Sequence, residues 1–225
     1  LIYYMFSDRH RQKPDPDRRY DRIYIGGDYG QQNATTFEAF GLDTYRKKFP
    51  GLGEYYHSGR ESGRQKSPSE YARDLVEFMD ELHEQYENRI FYIFLDPSAK
   101  GLAEEVKRAT RTGLDYQVLL RDAENDVALG ISRVQKALVF DIMSISPKQE
   151  YAVQEFGTYE YDKKSIEKGK EVPVKEADHC MDAIRYVVMG AWSKIKHWLP
   201  KDETPEEIDI CDISSREVRE EDEYL

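Results

Sequence analysis

Three aspartates have local sequences that suit ligands of a divalent cation. Asp28 and Asp96 each follow an apolar segment with the composition of a buried strand, and Asp182 lies near the start of a predicted helix. Carboxylates at the ends of two strands and on a facing helix can converge on one point, where cations must neutralise their like charges. The pattern predicts a site with two metal ions that cleaves a phosphodiester bond.

Two of the aspartates also have a purely structural interpretation. Asp28 precedes a turn that contains Gly30, and Asp96 precedes Pro97, both of which are positions where aspartate is common. We favour a ligand role for both residues. Two glycines before Asp28 leave room for a metal ion and a phosphate, and Asp96 ends the most apolar strand of the chain.

The predicted helix with Asp182 carries further polar residues at its start. Asp178 lies four residues before Asp182 and His179 three residues before it, so both pairs can share one helix face. Asp178 suits a helix cap, whereas Asp182 lies beside apolar residues, where an unpaired carboxylate is costly. Two interpretations of His179 stay open, a site residue or a plain surface histidine. We expect Arg185 to pair with a carboxylate.

The apolar pattern predicts an α/β chain with three strands first and an alternation of helices and strands after them. The expected strands are residues 23–28, 35–41, 45–56, 90–95, 116–120 and 159–161. The expected helices include one that follows a capping box at Ser67, one over 102–109, one with an apolar stripe over 127–138, a short one capped at Ser146, and a last one with a stripe over 181–195. This order, an antiparallel meander followed by parallel strands with helices around the sheet, is that of the ribonuclease H-like fold.

Length and charge predict one folded domain with an acidic tail. The chain has 225 residues and a net charge of −11, which argues against a general nucleic-acid binder. However, residues 201–225 hold eleven acidic and three basic side chains, so most of the charge lies in a segment that we expect to be solvated. We expect a leader or linker over 1–21, the ribonuclease H-like domain over 22–199 and the acidic tail over 200–225.

Lysines near the predicted site are candidates for contact with a phosphate backbone. A cluster precedes the last helix, and Lys100 opens the helix that follows Asp96. The residues expected to bind are Lys100, Lys163, Lys164, Lys168 and Lys170. The alternative is that these side chains are only a solvated surface.

Other features limit the class of protein. No apolar run approaches the roughly 18 residues of a membrane span, and no signal peptide is visible. Cys180 and Cys211 fit neither a disulfide framework nor a zinc site, so we expect a reducing, cytoplasmic environment. Because the sequence begins with Leu1, we expect it to be a fragment of a longer chain.

Four segments resemble the C-terminal nuclease domain of the large terminase subunit of tailed bacteriophages. They are Gly26-Gly-Asp-Tyr-Gly30, Asn33-Ala-Thr-Thr-Phe37, Asp96-Pro-Ser and Asp178-His-Cys-Met-Asp-Ala-Ile-Arg-Tyr186. The resemblance covers roughly residues 20–197. It implies an endonuclease that uses two Mg²⁺ or Mn²⁺ ions to cut concatemeric viral DNA during packaging, with little sequence specificity.

The same resemblance implies roles for the site residues. Asp28, Asp96 and Asp182 would hold the metal ions, and His179 would assist catalysis. In our assignment, one ion is held mainly by Asp28 and Asp182, and the other is shared by Asp28 and Asp96.

The resemblance further implies double-stranded DNA, a small terminase subunit and a portal protein as partners, and the host cytoplasm as the location. A terminase ATPase domain precedes the nuclease domain in whole terminases. This sequence has no Gly-x-x-x-x-Gly-Lys-Ser/Thr loop, so we expect the ATPase domain to be missing from it. No membrane partner is expected.

Three alternatives stay open at this stage. A Holliday-junction resolvase shares the fold and differs in substrate. An actin-like or sugar-kinase-like ATPase shares the core of the fold, but is about twice as long and has a second glycine-rich loop. A docking domain of the packaging motor would keep the carboxylates without catalysis.

Overall fold

The computed structural model of the chain describes residues 1–30 and 33–201. The predicted acidic tail lies outside the described residues except for its first two positions.

A six-stranded mixed sheet forms the centre of the structure. Its strands are β1 (Arg22–Asp28), β2 (Ala34–Leu42), β3 (Phe49–Ser58), β4 (Ile90–Leu95), β5 (Gln117–Asp122) and β6 (Met143–Ser144). Their order across the sheet is β5-β4-β1-β2-β3-β6. The first three strands pair antiparallel, whereas β4 runs parallel to β1 and β5 runs parallel to β4. This arrangement confirms the prediction of an antiparallel meander followed by parallel strands.

Seven α-helices surround the sheet within the described residues. They are α1 (Gly59–Ser62), α2 (Pro68–Tyr86), α3 (Lys100–Ala109), α4 (Val127–Val139), α5 (Glu150–Phe156), α6 (Lys163–Glu167) and α7 (His179–Ile195). The predicted capping box starts α2, because the Ser67 hydroxyl accepts from the Glu70 amide while the Glu70 carboxylate accepts from the Ser67 amide at 2.8 Å.

The sheet is covered on both faces, as a mixed sheet with a central parallel pair requires. On one face, Ile23, Ile25 and Phe37 pack with side chains of α2 and α3. On the other face, Tyr24 and Phe40 pack with side chains of α4, α5 and α7. Helix α7 therefore lies between the sheet and two other helices.

The structure corrects three of the expected elements. Strand β3 begins at Phe49 rather than at residue 45, because Lys47 adopts a left-handed conformation in the turn before it. Residues 159–161 do not form a strand, and Tyr161 makes a single antiparallel bridge to Pro173. The helix expected at Ser146 begins at Glu150, since the Ser146 hydroxyl accepts from the Lys148 amide and does not cap the helix.

The segment predicted as a leader packs onto the domain. Ile2 and Tyr3 are each 1% exposed, and the Tyr3 ring stacks on Tyr159. Residues before 22 thus belong to the hydrophobic clusters on the two faces of the sheet, Ile2 and Tyr3 to one and Tyr20 to the other. The domain boundaries themselves stay a prediction. No helix among the described residues combines the length and apolar composition needed to cross a bilayer.

Candidate metal centre

The two strand-end aspartates lie at the same edge of the sheet. Strands β1 and β4 are parallel neighbours, with Gly27 opposite Leu95. Asp28 and Asp96 are the next residues after this pair, so they lie at the same end of the two strands. Both side chains are half-buried. The sheet topology therefore brings together two carboxylates that are far apart in the sequence.

Helix α7 brings the third aspartate to this edge through an unusually close contact with β1. A Cβ atom at Gly26 would lie 2.0 Å from the carbonyl oxygen of Ala183, so a glycine is needed for the helix to approach this far. Ala183 directly follows Asp182 in the helix. The close approach thus sets the position of Asp182 relative to Asp28.

His179 pairs directly with Asp28. The Nδ1 atom of His179 lies 2.7 Å from Oδ2 of Asp28. This hydrogen bond raises the pKa of His179. Burial raises the pKa of Asp28, although the hydrogen bond from His179 acts to lower it. The two groups share one proton in a half-buried pair. His179 is therefore joined to the site, and the interpretation as a plain surface histidine does not fit the geometry.

Asp96 accepts hydrogen bonds from three sides. Its Oδ1 accepts from the Ser98 amide at 2.7 Å, and its Oδ2 accepts from the Tyr186 hydroxyl at 2.8 Å and from Asn125 at 3.3 Å. Burial alone would raise the pKa of Asp96, but the hydrogen bonds from Ser98 and Tyr186 outweigh it and lower the pKa. Asp96 is thus held as a carboxylate.

Asp182 is held by two cations, one on each oxygen. The Arg185 guanidinium donates to Oδ1 at 2.8 Å and is itself buried, and the Lys175 ammonium lies 3.4 Å from Oδ2. Arg185 also donates to the Asn125 side chain at 3.1 Å. Because Asn125 donates in turn to Asp96, one chain of hydrogen bonds links the two aspartates.

Asp178 does not act as the expected cap. It precedes α7, but its side chain makes no capping hydrogen bond. Its Oδ2 is buried and has no hydrogen-bond partner among the described residues, although the Lys175 ammonium lies at an ion-pair distance of 3.4 Å. Burial alone would lower the pKa of Lys175, but the negative charges of Asp182 and Asp178 outweigh this effect and raise it.

All three predicted ligands are connected to α7, since Asp28 pairs with His179, Asp96 accepts from Tyr186 and Asp182 lies in the helix itself. Burial raises the pKa of Tyr186, and the charges of Asp182, Asp28 and Asp96 raise it further. The carboxylates therefore gather around the start of α7. Hard oxygen ligands of this kind suit Mg²⁺ and Mn²⁺.

The aspartates are nevertheless spread apart. Within residues 1–30 and 33–201, the one triple of possible ligand atoms that all lie within 4.8 Å of one another is formed by Glu38, Glu54 and Cys180. Each of the three predicted ligands instead contacts a protein group. Asp28 contacts a histidine, Asp182 contacts two cations, and Asp96 accepts from hydrogen-bond donors. This spacing is the one expected for like charges that are neutralised by protein groups.

The cluster of Glu38, Glu54 and Cys180 lies next to the start of α7 and is held together by hydrogen bonds. Glu38 is fully buried and accepts from Gln149 at 2.8 Å, and burial together with Glu54 raises its pKa well above the usual value. Burial also raises the pKa of the Cys180 thiol. The cluster is a possible metal-binding group apart from the three predicted ligands. Beside the cluster, Glu155 accepts from the amides of Cys180 and Met181, and burial raises its pKa to about 7.

The predicted DNA-binding lysines are exposed. Lys100 begins α3, four residues after Asp96. Lys163 and Lys164 lie in α6, and Lys168 and Lys170 follow it, in a segment that the bridge between Tyr161 and Pro173 closes. Their role in binding DNA stays a prediction. A groove of about 400 Å³ opens beside His179 and is also lined by Asn33, Arg60 and Lys175.

Three residues of the site were missed as site residues by sequence reasoning. Tyr186 lies within the segment that resembles the terminase motif, and Lys175 lies within the lysine cluster, so each had a sequence signal. Asn125 had none, because it lies in a loop between β5 and α4 whose position depends on the whole sheet.

The chain is similar in sequence and in fold to a large terminase of known structure. The large terminase from a thermophilic bacteriophage, solved in complex with ATP-γ-S, is 33% identical to this chain over 84% of the chain and 44% of that protein, with a TM-score of 0.72. The chain therefore spans less than half the length of this relative. No family model and no curated protein matches the sequence.

Two shorter structures locate the match within a large terminase. The nuclease domain of the P22 large terminase is 16% identical, with 85% of this chain and 92% of that domain covered and a TM-score of 0.64. The large terminase nuclease from thermophilic phage G20c, solved with bound magnesium, is 17% identical, with 83% and 95% covered and a TM-score of 0.53. Both are covered almost completely, so the fold of this chain is that of the nuclease part.

Proposed function

We propose that this chain, which has the ribonuclease H-like fold of large terminase nuclease domains, is a metal-dependent DNA endonuclease of viral genome packaging. The observation that carries the proposal is that Asp28 and Asp96 lie at one edge of the sheet and bond to residues of α7, the helix that contains Asp182. The match to the large terminase solved with ATP-γ-S and the magnesium in the G20c nuclease support it.

Asp28, Asp96 and Asp182 are the residues that would hold Mg²⁺ or Mn²⁺. Two such ions, when bound, supply the positive charge that activates water and stabilises the leaving oxygen of a phosphodiester. Coordination of one ion by all three would bring their ligand atoms closer together, since the three do not all lie within 4.8 Å of one another.

The protein groups hold the carboxylates for that task. His179 orients Asp28 through its hydrogen bond, and Tyr186 and the Ser98 amide hold Asp96 ionised. Arg185 fixes one oxygen of Asp182 and leaves the other directed away from the buried guanidinium. The chain thus keeps three carboxyl ligands at one end of the sheet before any ion binds.

The DNA backbone would lie over the groove beside His179. Arg60 and Lys175 line this groove and offer positive charge to phosphates. We assign Lys100, Lys163, Lys164, Lys168 and Lys170 to the same role further from the cleaved bond. Contacts to phosphate carry no base information, so we expect little sequence specificity.

The remaining partners follow from the resemblance. The part of a large terminase that this chain does not span would hold the ATPase domain, and the ATP-γ-S bound to the relative supports this. We propose the small terminase subunit and the portal protein as further partners, and the host cytoplasm as the place of action.

Nicking of supercoiled plasmid DNA tests the proposal. The purified chain should convert supercoiled DNA to open circles in Mg²⁺ or Mn²⁺ and should be inactive in EDTA. Asp182→Asn should remove the activity while retaining the fold, because an asparagine still accepts from Arg185. Nicking by this variant at the unmodified rate would show that Asp182 is not a ligand of the catalytic metal ions.

The substrate separates the nuclease from its nearest alternative. A packaging nuclease should cut linear duplex DNA and a four-way junction at similar rates, whereas a resolvase should strongly prefer the junction. Absence of cleavage of every substrate in both metals would leave the docking-domain alternative.

A further inference from the structure

Lys175 occupies the place where a cation is needed at the acidic site. Its Nζ lies 3.4 Å from Oδ2 of Asp178 and 3.4 Å from Oδ2 of Asp182, so one ammonium bridges two carboxylates one helical turn apart. The lysine side chain is 63% exposed, whereas the aspartate side chains are 9% and 11% exposed. The carboxylates are therefore fixed and the lysine is the partner that can leave.

The two oxygens of Asp182 are not equivalent. Oδ1 is bound by Arg185, whose side chain is 1% exposed and has no room to withdraw. Oδ2 is therefore the atom left for a metal ion, and it is the atom that Lys175 holds. A metal ion and Lys175 must compete for the same oxygen.

The backbone before α7 is arranged around this contact. Asp178 forgoes a capping hydrogen bond, which ordinarily stabilises a helix by about 1 kcal/mol. Ala177 adopts a left-handed conformation with φ of 49°, which is unfavourable for a residue with a Cβ atom. With these two features, the Asp178 carboxylate lies 3.4 Å from Lys175 and makes no bond to the helix amides.

We propose that Lys175 is a built-in counter-cation that occupies Asp178 and Asp182 in the metal-free chain and sets the metal affinity of the site by competing for Asp182. This inference rests on the proposed function, in which Asp182 is a metal ligand. Lys175 keeps the acidic cluster neutralised until a divalent ion displaces it, and the displaced ammonium stays at the wall of the groove beside His179.

Binding of Mn²⁺ to the chain without DNA tests the competition. Free Mn²⁺ can be measured by electron paramagnetic resonance during a titration of the unmodified chain and of Lys175→Met, which keeps the length of the stem and removes the charge. We expect Lys175→Met to bind Mn²⁺ about fivefold more tightly than the unmodified chain does, because the ion no longer has to displace a lysine from two half-exposed ion pairs. Lys175→Arg should bind Mn²⁺ as the unmodified chain does, and Lys168→Met, an exposed charge of the same segment, should also leave the affinity unchanged.

A second readout is thermal unfolding with and without metal. In EDTA, Lys175→Met should unfold at a lower temperature than the unmodified chain, because Asp178 and Asp182 then repel each other without a cation between them. Addition of Mn²⁺ should raise its unfolding temperature by more than it raises that of the unmodified chain.

The outcomes separate the inference from the proposed function. Equal or weaker Mn²⁺ binding by Lys175→Met, with binding by the unmodified chain, overturns the inference and leaves the metal site in place. Binding by Lys175→Met alone supports the competition in its strongest form. Absence of binding by both proteins overturns the metal site and the inference with it.

Discussion

The Oδ2 atom of Asp28 and the Nδ1 atom of His179 are 2.7 Å apart and join the end of β1 to the first residue of α7. The carboxylate is therefore oriented from the helix, and the helix is anchored at the sheet edge. A metal ion bound by Asp28 would be placed by this pair as much as by the strand.

Removal of a ligand should abolish cleavage. We expect Asp28→Ala, Asp96→Ala and Asp182→Asn each to lower the rate of plasmid nicking by about a thousandfold or more, because each removes charge that a divalent pair requires. Asp122→Ala is the matched control, since Asp122 ends the neighbouring strand β5 and is exposed. Nicking at the unmodified rate by any of the three variants would remove that residue from the site.

Alanine at Asp182 should have a second effect that the other two aspartates lack. The sequence alone suggests that loss of a clustered negative charge stabilises the metal-free domain. The structure gives the opposite expectation, because Asp182→Ala leaves the buried Arg185 without its carboxylate. We expect a loss of about 3 kcal/mol in the free energy of unfolding, against a smaller loss for Asp182→Asn, measured by urea denaturation in EDTA.

His179 should matter less than the aspartates. We expect His179→Ala to lower metal affinity or cleavage by about 10- to 100-fold, the usual effect of losing a group that orients a ligand. His197→Ala, an exposed histidine beyond α7, should behave as the unmodified chain does. A loss as large as that of Asp28→Ala would instead indicate that His179 takes part directly in the reaction.

Gly26 should tolerate no side chain. Gly26→Ala places a Cβ atom 2.0 Å from the carbonyl oxygen of Ala183, so α7 must move away from β1. We expect a loss of about 3 kcal/mol in the free energy of unfolding and weaker Mn²⁺ binding. Gly101→Ala in α3 is the control, because its Cβ atom would lie 3.9 Å from the nearest atom, in Pro68. Equal stability of both variants would show that the helix contact is softer than its geometry implies.

The lysine segment should affect DNA binding and leave the chemistry unchanged. We expect a change in salt dependence when alanine replaces Lys163, Lys164, Lys168 and Lys170. A plot of the logarithm of DNA affinity against the logarithm of salt concentration should become less steep, by about 0.9 for each phosphate that the variant no longer neutralises. Fluorescence anisotropy with a duplex at several salt concentrations measures this slope. Cleavage at saturating DNA should be unchanged. An unaltered slope would favour a solvated segment or a contact for another protein.

Glu155 should make stability depend on pH. Its pKa rises on folding from 4.5 to about 7 because of burial, so the folded chain binds a proton that the unfolded chain releases between these values. The free energy of unfolding should therefore fall by as much as about 3 kcal/mol as the pH rises from 4.5 to 7 and should change no further above that range on account of Glu155.

Glu155→Gln isolates this contribution. The amide oxygen of glutamine can still accept from the backbone amides of Cys180 and Met181, but the side chain no longer titrates. Urea denaturation in EDTA at several pH values should give a shallower decline for the variant than for the unmodified chain. Parallel curves for the two proteins would show that folding does not shift the pKa of Glu155.

Much of the fold could be predicted because the signals are local. Strand β4 matches its expected limits because its apolar run ends at Asp96. Helix α2 starts directly after its cap Ser67 because the capping box is a pattern of neighbouring residues. The resemblance to terminase nucleases rests on motifs of the same kind. Local signals of this type predict the sheet, the order of the helices and the three candidate ligands.

The contacts that hold the ligands could not be predicted in this way. Asn125 reaches Asp96 and Arg185 only after β5 and α4 have taken their places. Lys175 was visible as one basic residue among several, and its distances to two carboxylates depend on how the segment before α7 folds against the helix. The burial of Tyr3 likewise depends on residues more than 150 positions away.

Helix α7 is buried at 13 of its 17 positions, so its conformational freedom is lost when the chain folds and not when a metal ion arrives. The entropy of ordering the ligand on this helix is therefore a cost of folding, shared with the hydrophobic core. What metal binding still has to supply is the exchange of one cation for another at an already rigid surface. Affinity at such a site is governed by charge and hydration, and the backbone of α7 should have the same conformation without metal as with it.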